Sequence, residues 1–274
     1  MSARFLLALV FLVIAGAPAR AQTDLDDLMA RVLAQRDESW KALQQYVLDE
    51  QETFQLTAPG RVPIYGFRHD FTWFLRDGLF VRSPVRADGV TIDEDERRRK
   101  EEEWFETQRK KNDNEPGFVA AAYFMKFKFD PGQYALVGRE SRDGRDVLRI
   151  EYYPIRLFSE GRTRPNKKLR DRDDDIDDKM NKSALVTLWV DAEKNQIVQY
   201  QFDNIDMDFL PGRSVARVDG LKASMQMGQM FPGVWLPHTI EVHCGMVTAM
   251  GSFDATYGIE YRDYKLATVT TRVR

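Results

Sequence analysis

Segments in which apolar and polar residues alternate recur along most of this chain. Side chains two residues apart point to the same face of a β-strand, so this spacing predicts strands that each have one apolar face. Three of these segments give the candidate residues for the lining of an internal cavity: Leu148, Ile150, Tyr152, Val186, Leu188, Val190, Val198, Tyr200 and Phe202.

Turn signals separate these segments. Asp77-Gly78, Asp88-Gly89 and Asp143-Gly144 each lie between two apolar segments, which is typical of antiparallel hairpins. We expect about ten or eleven meandering antiparallel strands in one domain. A sheet of that size with one apolar face has to curl into a barrel or half-barrel around something apolar, so the fold class is mainly β.

Two kinds of helix accompany the strands. Apolar residues at three- and four-residue steps from Leu25 to Val47 predict an amphipathic first helix, opened by Thr23 or Asp24 as its cap. Thr91 to Glu94 has the form of a capping box and predicts a charged, solvated helix that reaches Lys111. The three alanines of the segment 118–125 favour a further short helix.

The end of the chain predicts the last strands of the sheet. Val234 to Cys244, Val247 to Tyr261 and Tyr264 to Val273 read as three separate strands. Cys244 is the only cysteine, so no disulfide can form within the chain. It shares a strand face with Leu236, Ile240 and Val242, and we expect it to be a small buried apolar residue.

The first residues predict export. Arg4 precedes the apolar segment from Phe5 to Gly16, and Ala19-Arg-Ala21 fits a signal-peptidase site. We therefore expect a signal peptide over 1–21, cleaved before Gln22, and a periplasmic protein. The expected organisation is a single domain over 22–274, with charged helical insertions near 91–125 and 161–183.

Composition excludes several classes of protein. Forty basic against forty-three acidic residues give a net charge of −3, which argues against a nucleic-acid partner. Charged residues make up 30% of the chain, and its long apolar segment lies within the predicted leader, so we expect no integral membrane segment in the mature protein.

No catalytic or metal motif stands out. The acidic residues from Asp171 to Asp178 suggest calcium, but Ile176 and Lys182 stand where an EF-hand needs glycine and glutamate. Met225 and Met227 alternate with polar residues as in an amphipathic strand, which favours core packing over soft-metal binding. His69-Asp70 is a dipeptide whose side chains diverge on a strand. We expect no enzyme activity, no cofactor and no metal.

Several short motifs resemble the LolA/LolB-like superfamily of periplasmic lipoprotein carriers, and in particular its outer membrane lipoprotein-sorting relatives. These motifs are Phe74-Leu75 before Asp77-Gly78, Leu188 to Asp191 followed by Ile197-Val198, Pro232 to Pro237, and Tyr261 to Tyr264. The resemblance implies an unclosed antiparallel half-barrel whose concave, apolar face is covered by helices and holds acyl chains.

Three hypotheses follow for the function. The first is a periplasmic binding protein for a hydrophobic ligand in the cell envelope, a lipid or acyl chain or a lipoprotein, with an envelope protein as a possible partner. The second is an interaction or scaffold module in envelope assembly that holds no ligand. The third is an unrecognised hydrolase. An empty concave face would favour the first hypothesis, and a face filled by the protein's own side chains the second.

Overall fold

The computed structural model describes residues 17–111, 119–154, 184–204 and 216–267. The acidic residues from Asp171 to Asp178 and the insertion near 161–183 lie outside the described residues. In chain order the elements are α1 (Ala17–Leu43), β1 (Tyr46–Ala58), β2 (Val62–Arg76), β3 (Leu79–Ala87), β4 (Val90–Thr91), α2 (Glu94–Lys111), α3 (Val119–Met125), β5 (Tyr134–Arg142), β6 (Arg145–Tyr152), β7 (Ala184–Asp191), β8 (Gln196–Asn204), β9 (Ala216–Phe231), β10 (Val234–Thr248) and β11 (Gly251–Leu266).

One antiparallel sheet contains all eleven of these strands, in the order β4-β3-β2-β1-β11-β10-β9-β8-β7-β6-β5. The sheet is not closed, because β4 and β5 are its two edges. Each strand pairs with the strand before or after it in the sequence, with one exception. The exception is the pair of β1 and β11, which covers Tyr46 to Thr57 of β1. The predicted mainly β class and the large antiparallel sheet are confirmed.

The sheet is strongly curved. The guanidinium of Arg145, at the start of β6, lies 4.8 Å from the ring centroid of Trp235 in β10. Strands β6 and β10 are four positions apart, so they would be roughly 19 Å apart in a flat sheet. Contact between their side chains requires the sheet to curl, which gives the half-barrel. We call the face that looks into this curve the inner face.

Helix α1 crosses the inner face from β5 to β10, and α3 packs against α1 and β10. Met29, Val32 and Leu43 of α1 are at most 1% exposed and belong to the core. Helix α2 packs on β3, where the indole N–H of Trp104 donates to the Phe80 carbonyl over 3.1 Å. No helix among the described residues is long and apolar enough to span a membrane.

Both predicted helix starts were wrong. Helix α1 begins at Ala17, so Thr23 lies inside it, since alanines favour a helix and a proline is tolerated in the first turn. The helix also ends at Leu43, and Val47 belongs to β1. Thr91 pairs with Arg86 in β4, and Asp93 is the cap of α2, where its carboxylate accepts the Asp95 N–H at 2.9 Å.

The end of the sheet also differs from the prediction. Val247 belongs to β10, and β11 is one strand that continues through Tyr264 to Leu266. The chain does not turn within the Tyr261-to-Tyr264 motif. Instead, β11 has a β-bulge at this point and continues to pair with β1 on both sides of it. Asp263, in the bulge, has a φ of 52°. The turns at Asp77-Gly78, Asp88-Gly89 and Asp143-Gly144 are confirmed, each with both residues at positive φ.

Candidate functional site

The nine predicted cavity residues all belong to β6, β7 and β8, beneath the helices. Val198 is half-buried, and the other eight are at most 7% exposed. Their burial comes from the protein's own side chains. The ring of Phe124 in α3 lies 5.1 Å from that of Phe202, and the ring of Phe127 lies 5.0 Å from Phe202. The role of these nine residues in ligand binding stays a prediction.

One of the nine residues also borders open space. Leu148 lines a cleft of about 560 Å³ between the β5–β6 and β7–β8 turns, together with Arg145 and Lys194. The cationic groups of Arg145 and Lys194 lie 4.8 and 5.9 Å from the ring centroid of Trp235. Charged and polar side chains make up most of the lining of this cleft.

The inner face continues beyond the helices onto β10, β11, β1 and β2. The register aligns Val242, Tyr257, Phe54 and Phe67 in one row across these four strands. The next row consists of Cys244, Ala255, Leu56 and Tyr65. We call these eight residues the apolar strip. Directly paired residues of antiparallel strands share a face, so the strip is continuous with the row of Phe202 and Ala223.

The apolar strip is the accessible part of the inner face. Seven of its residues are half-buried and Tyr65 is 60% exposed, whereas Phe202 and Ala223 in the same sheet are at most 6% exposed. The helices that the structure describes pack mainly on β3, β5, β8 and β10. Cys244 is half-buried rather than fully buried, because it lies at this open end. The predicted buried position of this cysteine is therefore reached only in part.

A buried polar cluster borders the strip on the same face. The side chain of Glu50 in β1 is 3% exposed and accepts hydrogen bonds from Arg82 and from the indole N–H of Trp73 at 2.7 Å. Arg82 also donates to Glu52 over 3.0 Å, and the Tyr257 hydroxyl donates to the other Glu52 oxygen over 2.7 Å. We call these five residues the Glu50 cluster.

The environment of the Glu50 cluster changes its ionisation. Burial raises the pKa of the Glu50 carboxyl, although the hydrogen bonds from Arg82 and Trp73 oppose this change. Burial also acts on Arg82, but its two carboxylate partners prevail and raise the pKa of its guanidinium. Arg82 further lies 3.5 Å from the ring centroid of Phe71. Every charged group of the cluster therefore has a partner, which is typical of a structural network.

Neither a catalytic dyad nor a metal centre forms from the described residues. His69 lies on the inner face 3.8 Å from Glu52, while Asp70 is on the outer face and accepts from Gln51. The divergence of His69 and Asp70 is thus confirmed. Within the described ranges, no three histidine, cysteine or carboxylate side chains are grouped to hold a metal ion.

The Glu50 cluster was missed in the sequence, although a signal for it exists. Glu50 and Glu52 alternate with Leu48 and Phe54, so strand periodicity puts two carboxylates on an apolar face. Burial of such groups requires partners. The partners Arg82 and Trp73 come from β3 and β2, and only the register identifies them.

No family model matches the chain, and the search of curated proteins found no match. Several solved structures are similar to it, and three of them are the following. An outer membrane lipoprotein-sorting protein domain from Vibrio parahaemolyticus has 13% identity and a TM-score of 0.36, covering 88% of this chain and 94% of that one. A DUF1329 family protein from Desulfovibrio piger has 13% identity and a TM-score of 0.33, covering 93% and 95%.

The third similar structure, of lipid–protein interactions in lipovitellin, has 4% identity and a TM-score of 0.33. It covers 84% of this chain, which spans only 26% of that protein. The half-barrel with helices on its inner face is a property of this chain's own sheet and packing.

Proposed function

We propose that this chain is an exported periplasmic binding protein for a hydrophobic ligand, a lipid or acyl chain, and that the ligand lies on the apolar strip. The observation that carries the proposal is the half-exposed state of the strip on the inner face of the sheet. The nine predicted residues on β6 to β8 then lie beside the ligand, beneath the helices, and they line its site only where a helix moves aside.

The chemistry of the strip suits an acyl chain. Its eight side chains come from four adjacent strands and present rings, branched carbons, alanine and a thiol, with no charged group among them. Each methylene that leaves water for such a surface contributes about 0.8 kcal/mol before ordering costs. At the full value about ten buried methylenes supply the roughly 8 kcal/mol that micromolar binding needs, and at half of it about twenty are needed.

The test is a titration of the mature protein, which begins at Gln22, with N-phenyl-1-naphthylamine, a neutral apolar probe whose fluorescence rises away from water. We expect saturable binding that Phe54→Glu and Val242→Glu abolish, because each places a charge in the strip. Thr53→Glu is the matched control, since Thr53 is exposed on the outer face beside Phe54. Binding that survives both strip variants, or no binding at all, would contradict the proposal.

A scaffold module in envelope assembly is the second candidate. Its supporting observation is the filled space over β6 to β8, where Phe124 and Phe127 occupy the place expected for a ligand. Exposed apolar side chains at the β1–β2 and β10–β11 hairpin tips, Val62, Ile64 and Met250, offer an envelope protein a contact surface. A wild-type chain that binds no apolar probe would favour this candidate.

We propose neither an enzymatic role nor a nucleic-acid partner. The net charge of −3 argues against a nucleic-acid partner. The complete pairing within the Glu50 cluster argues against an enzymatic role for its carboxylates, since catalytic carboxylates need contact with a substrate. The periplasmic location rests on the predicted leader over 1–21, and the mature mass of the exported protein tests it.

A further inference from the structure

The turns of the β1–β2 and β10–β11 hairpins lie side by side at one end of the sheet. They approach so closely that a Cβ atom on Gly251 would be 2.6 Å from the Cγ atom of Pro59. Four large apolar side chains at these turns are between 52% and 80% exposed, and we call them the apolar tip: Val62, Ile64, Tyr65 and Met250. Exposed apolar residues are normally scattered singly, so a group of this kind marks an interaction surface.

The apolar tip projects beyond the neighbouring strand. Strand β2 pairs with β3 only as far as His69, and the Arg68 carbonyl accepts a further hydrogen bond from the Asp88 N–H. Among the described residues, β2 has no neighbour except β1 from Phe67 to Val62. Six residues of a strand span about 20 Å. The tip therefore meets a flat surface before β3 does.

Charged residues are almost absent from the two turns. Arg61 is the only charged residue in 56–67 and the segment 244–253 has none, in a chain of which 30% is charged. Arg217 and Asp219 border the tip from β9, where they form an ion pair at 2.6 Å. Exposed turns of a protein in water normally carry charged residues, so solubility does not account for this composition.

The apolar strip leads directly to the tip. Met246 and Phe253 pair with each other and form the next inner-face row of β10 and β11 after the strip, and both are half-buried. Ala58 and Val62 pair in the same way just beyond the strip residues of β1 and β2. Tyr65 belongs to both the strip and the tip. Apolar side chains thus continue from the strip to the turns without a charged residue between them.

We propose that the apolar tip docks this protein on the surface of a lipid bilayer, with Ile64 and Met250 inserted among the acyl chains. Insertion needs no complementary shape, because each side chain that leaves water contributes by itself. Four side chains on two turns are few for a protein partner, since a stable protein interface takes about 20 to 30 residues on each side. Arg61 and Tyr65 suit the headgroup region, where charged ends of side chains stay in water and tyrosine is enriched.

Docking also gives the apolar strip a route to its ligand. The docked tip places one end of the strip at the membrane, so an acyl chain can move between the two without crossing water. This step rests on the proposed function, because it takes the strip as the ligand site. Docking itself depends only on the tip.

The experiment is sedimentation of the mature protein, which begins at Gln22, with sucrose-loaded vesicles of dioleoylphosphatidylcholine. We expect the wild type to bind, and Ile64→Asp and Met250→Asp each to weaken binding roughly tenfold, because each replaces an inserted apolar side chain by a charge. Leu136→Asp is the matched control and should bind as the wild type does. Leu136 is 52% exposed, as Ile64 is, but lies on β5 at the far edge of the sheet.

A second measurement locates the contact. Met250→Trp adds an indole to the tip, and vesicles of a brominated phosphatidylcholine should quench its fluorescence beyond the quenching seen in the wild type. Leu136→Trp should show no such increase. Binding should also persist at high salt, because screening weakens charge interactions and not apolar insertion.

Equal binding of the wild type and both aspartate variants of the tip, or release by salt, would overturn the inference. A wild type that does not bind vesicles would also overturn it and would leave the tip to the protein contact of the scaffold candidate. The proposed function is tested separately, by titration with N-phenyl-1-naphthylamine without vesicles, in which Met250→Asp should bind as the wild type does. Vesicle binding without probe binding would therefore contradict the proposed function and support docking.

Discussion

Glu50 lies in an environment that a carboxylate side chain does not favour. Its side chain is 3% exposed on an apolar face, and the hydrogen bonds from Arg82 and Trp73 compensate for the burial of its charge. Removal of one partner from a buried ion pair leaves the other charge buried and unpaired. The free energy lost in this way is larger than the net stability that the intact pair contributes. The cluster also joins β1, β2, β3 and β11, the strands at the open end of the half-barrel.

We predict that Glu50→Gln lowers the free energy of unfolding by about 3 kcal/mol, because it leaves Arg82 partly buried without its main partner. Urea denaturation measures this change. Glu102→Gln is the control. Glu102 pairs with Arg76 at 2.8 Å but is 51% exposed, and the loss of such a surface pair should cost no more than about 1 kcal/mol. Equal losses in the two variants would contradict the buried-pair argument.

At the scale of the element, α3 is the shortest helix that the structure describes and yet carries much of the core. Phe124 and Met125 are at most 2% exposed, and the Phe124 ring packs on both Tyr200 and Phe202. A seven-residue helix is too short to be stable alone, so its packing against α1 and the sheet stabilises it.

We predict that Phe124→Ala lowers the free energy of unfolding by about 3 to 5 kcal/mol, because it leaves a cavity over Phe202. Lys128→Ala, at an exposed position just beyond the helix, should have little effect. Denaturant unfolding of both variants measures the difference. If the cavity also admits N-phenyl-1-naphthylamine with higher affinity than the wild type, Phe124 occupies space that the nine predicted residues would otherwise offer to a ligand. A loss below about 1 kcal/mol would show that α3 does not depend on this contact.

The strands were more predictable than the site because their signals are local. Alternation and Asp-Gly turns depend on neighbouring residues, and they predicted the hairpins of β2 with β3 and β5 with β6. The pairing of β1 with β11 joins the two ends of the chain, and no local pattern indicates it. Both the apolar strip and the Glu50 cluster depend on that pairing. The sequence therefore pointed to residues on β6 to β8, whose alternation is regular, and not to the accessible strands.

At the scale of the whole molecule, several strands of the sheet carry buried tyrosines. Tyr200, Tyr261 and Tyr264 are each at most 8% exposed and come from β8 and β11. Burial raises the pKa of each of their hydroxyls above the ordinary value. The unfolded chain exposes the same groups, which then ionise near pH 10.

These raised pKa values determine how stability depends on alkaline pH. A group with a higher pKa in the folded state contributes stability that is fully present below about pH 10, its unfolded pKa, and is lost as the pH rises towards its folded pKa. We therefore predict that the native protein keeps these three tyrosines un-ionised above their ordinary pKa, and that their ionisation coincides with cooperative unfolding.

Tyrosinate absorbance and circular dichroism, followed together during an alkaline titration, test this prediction, with the urea-unfolded chain as the reference. Tyr200→Phe isolates one group, because its hydroxyl has no partner among the described residues and its removal leaves the packing with Phe124 in place. The variant should keep or slightly gain stability at neutral pH and unfold at a higher pH than the wild type, since one ionisable group that favours unfolding is gone. Full tyrosine ionisation in a chain that keeps its native dichroism would mean that the inner face admits water, and the closed packing around Tyr200 would then be wrong.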